Sequence, residues 1–401
     1  VDMKLSKINL FFILFFLICR QGYGQKVNFE KPPGIIITHQ PASSGKYIGS
    51  PSICIRGNGE YIASHDFFGP GAVERKQGVT VLFKSTNKGK SWEKISTIQG
   101  QFWSNLYESQ GVLYLMGTDK EYGNFILRKS TDGGYNWTEP SDEHSGLIFA
   151  GKYHTAPMPV LIHNGYLWRA VEEIDKNQKG WGKMFMSSMF SIPLNADLLK
   201  ASNWRKTNSL PYDSTYLKGE FMAWLEGNAL LDKQGRIVNL LRVSTQTKGV
   251  EKAALVNISK DGLSAVFDRD TGFIDFPGGS KKFSVRYDQE TKLYWTLSNV
   301  IEADLIGIKE TGKIRNTIAL CSSTDLKNWQ IHKYVLHHKD MNHHGFQYVD
   351  WLFSKKDIVF VSRTAFDDAY GGAHRQHDAN YLTFHKIKNF RKYKNVTKTK
   401  L

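Results

Sequence analysis

Six times between residues 50 and 390 the chain repeats one plan, a hairpin of two short alternating strands followed by a second hairpin-like segment. The first hairpins read "SPSICIRGNGEYIASHD", "NLYESQGVLYLMGTD", "APMPVLIHNGYLWRAVEE", "GNALLDKQGRIVNLLRV", "FSVRYDQETKLYWTLSN" and "YVDWLFSKKDIVFVSRTAF". In each, apolar and polar residues alternate about a turn rich in Gly, Asn, Asp or Lys, which is the pattern of paired strands. Helical periodicity is absent from the repeats. The units begin roughly 50 to 70 residues apart, a period that marks propeller blades or solenoids. Four antiparallel strands per unit, repeated around a circle, make a β-propeller with only short, protected edges. The sequence therefore predicts an all-β chain built as a single β-propeller of four-stranded blades, six of them readable. The last unit has three clear strands, and the early run "GIIITHQ" (Gly34 to Gln40) can supply the fourth and close the ring.

The ends add compartment and charge. Lys4 and Lys7 precede the apolar run "INLFFILFFLIC", and small and polar residues follow up to Gly24 and Gln25. That is the layout of a secretory signal, expected over residues 1–24, with the propeller domain over 25–401. The apolar run is shorter than the about 20 residues a bilayer span needs. The expected location is exported, periplasmic or secreted; bulky Ile18 before Cys19 argues against a lipid anchor. Cys54 and Cys321 are too few for a disulfide framework and read as small buried hydrophobes. The formal charge of +15 is spread along the chain and favours a polyanionic partner. No nucleic-acid motif is present. The expected partner is an acidic polysaccharide or oligosaccharide.

One phrase has a family attached. Ser130, Asp132, Gly134 and Trp137 in "STDGGYNW" are spaced S-x-D-x-G-x-x-W, with looser echoes at Ser85–Trp92 and Ser323–Trp329. The phrase falls between the third and fourth strands of a blade. It resembles the Asp box of sialidase-like (BNR-repeat) propellers, where it is a structural turn. Sialidases hold a carboxylate with three arginines, the first on the first inner strand. The corresponding stretch here, "YIGSPSICI", has no arginine, so sialidase activity is not expected. The segments "SPSICIRGNGEYIASHD", "GKYHTAPMPVLIHNGYLWRAVEE", "EGNALLDKQGRIVNLLRV" and "AHRQHDANYLTFHKIKNFR" resemble glycoside hydrolase family 145. That resemblance implies an α-L-rhamnosidase cleaving rhamnose from glucuronate, and a seven-bladed ring. Its relatives, the propeller-type ulvan lyases, imply β-elimination beside a uronate as the alternative. A non-catalytic glycan-binding propeller is the third reading.

The repeat says where chemistry would gather. Loops entering each first strand and leaving each second strand share one face around the axis, opposite the Asp boxes. Residues at those positions include His65, Asp66, Trp103, Tyr153, His154, Glu172, Glu173, Trp224, Glu226, Arg242, Arg286, His344 and Arg363. Trp103 and Trp224 offer flat faces to sugars, and arginine offers a fork to a carboxylate or sulfate. Likeness to the lyases points to Arg242 and His154, with His144 as a second histidine; the tyrosine they carry before that arginine is missing, Tyr216 being the nearest. Likeness to the rhamnosidases points to His65 as the single catalytic histidine, although the strand count sets it on the lyase face. A carboxylate pair would draw on Glu172, Glu173 and Glu226. Arg363, Arg375 and His377 crowd the last long loop, "SRTAFDDAYGGAHRQHD", and are expected to bind substrate with Trp103, Tyr153, Trp224, Glu226, Arg286 and His344. Each has a plainer role open to it: Arg242 can bridge to Glu226, and His154 can bond backbone. The cluster "HHKDMNHHG" lacks zinc spacing. No metal ligand is assigned and no cofactor is required, though structural calcium or zinc stays compatible with the chain.

Overall fold

A computed structural model describes residues 29–396; the expected signal at 1–24 lies outside the described residues. The six predicted hairpin pairs form six sheets around one axis. Blade one holds Tyr47–Ile48 and Ser52–Ile55, then Tyr61–Phe68, Val79–Ser85 and Glu93–Gln99. Blade two is Phe102–Ser109, Val112–Thr118, Phe125–Ser130 and Leu147–Phe149. Blade three is Tyr153–His154 with Leu161–His163, then Tyr166–Ile174, Phe185–Pro193 and Arg205–Lys206. Blade four is Phe221–Leu231, Ile237–Thr245, Lys252–Ile258 and an outer pair, Ala265–Phe267 and Phe273–Asp275. Blade five is Ser284–Asp288, Leu293–Asn299, Thr317–Ser323 and Trp329–His337. Blade six is Gly345–Ser354, Asp357–Ala365 and Tyr381–Ile387, completed by Ile35–His39.

That last strand closes the ring. Ile35 pairs with Phe384 and His39 with Tyr381, so both ends of the described chain meet in one sheet. The seven blades implied by the family resemblance are therefore corrected to six, because five repeats each form a whole blade and the sixth takes its outer strand from Ile35–His39, which closes the ring. Among the described residues no helix is long and apolar enough to cross a membrane.

The inner strands of a blade are covered on both sides because successive side chains point to opposite faces, whereas outer strands such as Glu93–Gln99 are largely exposed. Ile62 and Leu82 pack toward blade two with Leu106, Leu113 and Leu115. Their neighbours Ala63 and Val81 pack toward blade six with Val359, Val361 and Leu382. Cys54 and Cys321 are buried and free, as read, and burial pushes both thiols up to about 12.

The Asp-box turns clamp the third strand to the fourth. Ser130 Oγ bonds Asp132 Oδ1 at 2.8 Å, the Gly134 N–H donates to Ser130 Oγ, and the Tyr135 and Asn136 N–H groups donate to Asp132. Trp137 Nε1 donates to Gly134 O at 2.9 Å while its ring joins the core between blades one and two. Asn87 does the work of the Asp at Ser85–Trp92, accepting from the Ser91 N–H. At the shortened box, Leu326 takes the glycine's left-handed place at φ 65°. A fourth such turn, Ser259 with Asp261, was not read from sequence because it lacks the tryptophan. The hydrogen bonds, led by that from Asn136, hold the Asp132 carboxyl down at about 2. We expect Asp132→Ala to cost about 1 kcal/mol at neutral pH, the usual worth of a capping carboxylate. A lowered folded value means the stabilisation is present above the unfolded carboxyl value near 4 and is lost as pH falls toward 2. Denaturant melts of the two proteins should therefore converge across that window.

Candidate functional site

The second strands of blades one, four and six end on the face away from the Asp boxes, and they carry Asp66, Arg242 and Arg363. These residues line a cavity of about 300 Å³ at the mouth of the axis. Three bulges complete it. The inner strands of blades two, four and six each slip register after Phe102, Leu225 and Gln347. The slips put Trp103, Glu226 and Tyr348 in left-handed conformation, at φ 50°, 50° and 53°, and all three line the cavity. A non-glycine residue held there costs of order 1 kcal/mol or more, and such strain collects at functional sites.

One side of the cavity is cationic. Arg242 Nη1 donates to Glu226 Oε2 at 2.9 Å and reaches the Tyr348 hydroxyl at 3.5 Å, while its Nε donates to Ser280 O. Burial works against the charge on Glu226, but Arg242 holds its carboxyl below the usual range. Arg315, from the loop before the third strand of blade five, donates to Gln347 Oε1 at 2.9 Å. Arg363 lies between the rings of Phe68 and Tyr348, at 4.4 and 4.7 Å, and donates to His377 O. Its Nε is buried and has no protein partner. His377 accepts from Arg363 at Nε2 and bonds Asp378 at Nδ1, so its ring is neutral; burial, then Arg363, lowers it to about 3.

The other side has carboxylates and aromatics. Asp66 is buried, its two oxygens accepting the Ser50 N–H at 2.6 Å and the Trp103 N–H at 2.7 Å. Burial outweighs those bonds and raises it to about 7. His154 Nδ1 bonds Glu172 Oε2 at 2.8 Å, and burial raises the Glu172 carboxyl as well. The imidazole is stacked on Phe185 and edged by Trp103.

Of the residues chosen from sequence, Trp103, His154, Glu226, Arg242, Arg363 and His377 come together around this cavity. The others do not line it. His65 alternates with Asp66 and so turns away, into a buried sandwich with Phe67 and Phe83, where burial lowers it to about 4. His144 is exposed on the loop before the outer strand of blade two. Tyr153 and Trp224 are core residues, packed on Phe190 and on Phe221 with Phe267 respectively. Tyr216 belongs to that second cluster. Arg286 donates to Trp351 O and lines a separate hollow with Leu161 and Tyr287. His344 stacks on His338, and Arg375 is an exposed partner of Asp378. Sequence reasoning placed Asp66 on the face that carries this cavity without giving it a role. It missed Tyr348, Arg315, Tyr122 and Trp181; Tyr348 is delivered by a bulge that leaves no mark in the alternation.

Fold and cavity together define a six-bladed β-propeller with a charged pocket at the axis. No family model matches the sequence, and no curated protein matches it. Among solved structures, the chain is similar to a Penicillium chrysogenum α-L-arabinanase complexed with arabinobiose, with 14% identity, 90% of this chain and 98% of that one covered, and a TM-score of 0.54. It is also similar to a Fusarium graminearum α-L-arabinofuranosidase in complex with an iminosugar inhibitor (11% identity, 89% and 98% covered, TM-score 0.58). A Hadza microbial sialidase matches at 13% identity over 89% of this chain and 69% of that one, with a TM-score of 0.58. These likenesses establish the propeller fold.

Proposed function

We propose that the protein is an exported glycoside hydrolase that cleaves the glycosidic bond of a carboxylate-bearing sugar in an acidic polysaccharide or oligosaccharide. The carrying observation is that Arg242 and Arg363 gather about Tyr348, with Arg315 behind, and the buried Nε of Arg363 is left for a ligand. Buried cationic forks of this kind suit a carboxylate, which they bind with charge-assisted hydrogen bonds. The solved neighbours named as glycosidases support the same class.

The chemistry follows from the contrasting carboxyls. Asp66, neutral below about pH 7, donates its proton to the leaving oxygen as the C–O bond breaks. Tyr348 attacks the anomeric carbon, and its phenolic proton passes to Glu226, which shares the Arg242 nitrogen with it. A neutral phenol avoids the repulsion that a carboxylate nucleophile meets from an anionic sugar, and tyrosine is a recognised exception to the paired-carboxylate rule. Water then opens the tyrosyl glycoside with ionised Asp66 as base, and Glu226 returns the proton to the phenol.

The rhamnosyl-glucuronate linkage implied by the resemblance has no support through His65, which faces the core. Its uronate remains a member of the proposed substrate class. A lyase is the second reading, favoured by one observation: Glu172 fixes Nδ1 of His154, a cavity-lining ring, leaving Nε2 as a candidate base.

The test is a panel of aryl glycosides of uronic, 2-keto acid and neutral sugars, with gum arabic-type and ulvan-type polymers. Hydrolysis is expected for acid sugars and at least tenfold slower for neutral ones. Comparable rates on neutral arabinosides or rhamnosides would overturn the reading. An ultraviolet-absorbing unsaturated uronate would establish the lyase, and binding without product would leave a glycan-binding propeller.

A further inference from the structure

We infer that the side of the cavity bounded by Trp103, Tyr122, His154 and Trp181 is a leaving-group subsite, and that it takes a neutral sugar. The inference rests on Asp66 as the acid. A general acid must lie within hydrogen-bond reach of the leaving oxygen, so the leaving group lies on the side of the cavity where Asp66 stands. Asp66 is tied to the backbone of Trp103, whose ring meets His154 at 4.6 Å and Tyr122 at 5.6 Å. Trp181, more than half exposed on the loop after the second strand of blade three, continues the wall by packing edge-on to Phe185. Aromatic faces in this number offer apolar surface to the C–H face of a sugar ring.

His154 gives that wall its polar contact. Its ring is held by Phe185 and Trp103 and its Nδ1 by buried Glu172, leaving Nε2 without a protein partner. Glu172 Oε1 is likewise buried without a partner, so the pair is built beyond what packing requires. An oriented imidazole Nε2 is fitted to one hydroxyl of the second sugar. Charge then decides which sugar. The arginines are committed to the acid sugar, whereas the lining on this side includes Glu74, which accepts the Gly69 N–H, and Glu121, whose N–H bonds Glu74 O and whose carboxylate pairs at 3.0 Å with a mostly exposed, solvent-screened Arg75. Carboxylates at that rim disfavour an anionic second residue and tolerate a neutral one.

The experiment compares kcat/KM on three glycosides of one acid sugar: an aryl glycoside, a disaccharide to a neutral hexose and a disaccharide to a uronic acid. The wild type is expected to prefer the neutral over the uronic partner at least tenfold. His154→Ala and Trp181→Ala should lower the neutral disaccharide about tenfold more than the aryl glycoside, with His154→Gln recovering part of the loss. Glu74→Gln with Glu121→Gln should raise the rate on the uronic disaccharide. Equal losses on both substrate types, or a wild-type preference for the uronic partner, would overturn the inference. Tryptophan fluorescence titrated with a neutral methyl hexoside, in wild type and in Trp181→Phe, reads the subsite without turnover. A flat titration in active enzyme rejects the subsite alone; absent hydrolysis with a Trp181-dependent titration rejects the hydrolase reading and keeps the subsite.

Discussion

Asp66→Ala is expected to lower kcat/KM by about 10²- to 10⁴-fold on an acid-sugar glycoside with an alcohol leaving group, the range a positioned general acid supplies. On an activated aryl glycoside the loss should be far smaller, because such a leaving group departs without a proton. The pH profile carries the same signature. Burial raises Asp66 to about 7, so its carboxyl holds a proton below that pH, as the proposed acid must, and is a carboxylate above it. Wild-type kcat/KM should fall as pH rises through about 7, and Asp66→Ala should lose that limb. Stability moves in the same direction, over the window just below that limb. A carboxyl raised in the fold favours the folded state fully below its unfolded value near 4, and that contribution is lost as pH rises to about 7. Unfolding midpoints measured across that window should decline less steeply in the variant. An unchanged alkaline limb in Asp66→Ala would show that another group donates the proton.

The ring was legible in the sequence and the pocket only in part, for a physical reason. A hairpin is written locally: alternation at Tyr61–Phe68 and a Gly-containing turn before it suffice to place Ile62 and Ala63 on opposite faces. The closing strand was legible for the same reason, "GIIITHQ" being an apolar run with no partner of its own. Which polar residue then faces the axis depends on register, and a one-residue slip exchanges faces. That rule separates His65, chosen from sequence, from its neighbour Asp66, which lines the cavity. The bulges beside Trp103, Glu226 and Tyr348 break the alternation where the pocket is made, so strict period-2 reading fails there. Trp224 shows the converse error. Its aromatic ring suggested a sugar platform, yet it stands before the bulge and packs into the wall between blades three and four. Arg315 comes from a long loop, where no period exists to read.

Arg242→Met is expected to give the largest loss of stability of any single change at the pocket, about 3–5 kcal/mol, because it strands a buried charge. Both partners of the pair are almost fully enclosed, with side-chain exposures of 6% for Arg242 and 2% for Glu226. Glu226 is ionised in the fold because Arg242 is there. Without it the carboxylate must protonate or carry its desolvation cost alone. A partly compensating change tests that account against mere loss of packing. Glu226→Gln in the same chain removes the stranded charge and keeps a side chain of the same shape at the strained φ of 50°. The double variant should therefore recover most of the stability lost by Arg242→Met, as read by urea unfolding, while remaining without activity. A double variant as unstable as the single one would mean that the pair's role is steric. A double variant that regained hydrolysis would remove Arg242 and Glu226 from the proposed chemistry. Between these outcomes lies the expectation set by the geometry. The arginine holds a carboxylate and a tyrosine together at the cavity, which is the arrangement the proposed hydrolysis of an anionic sugar uses.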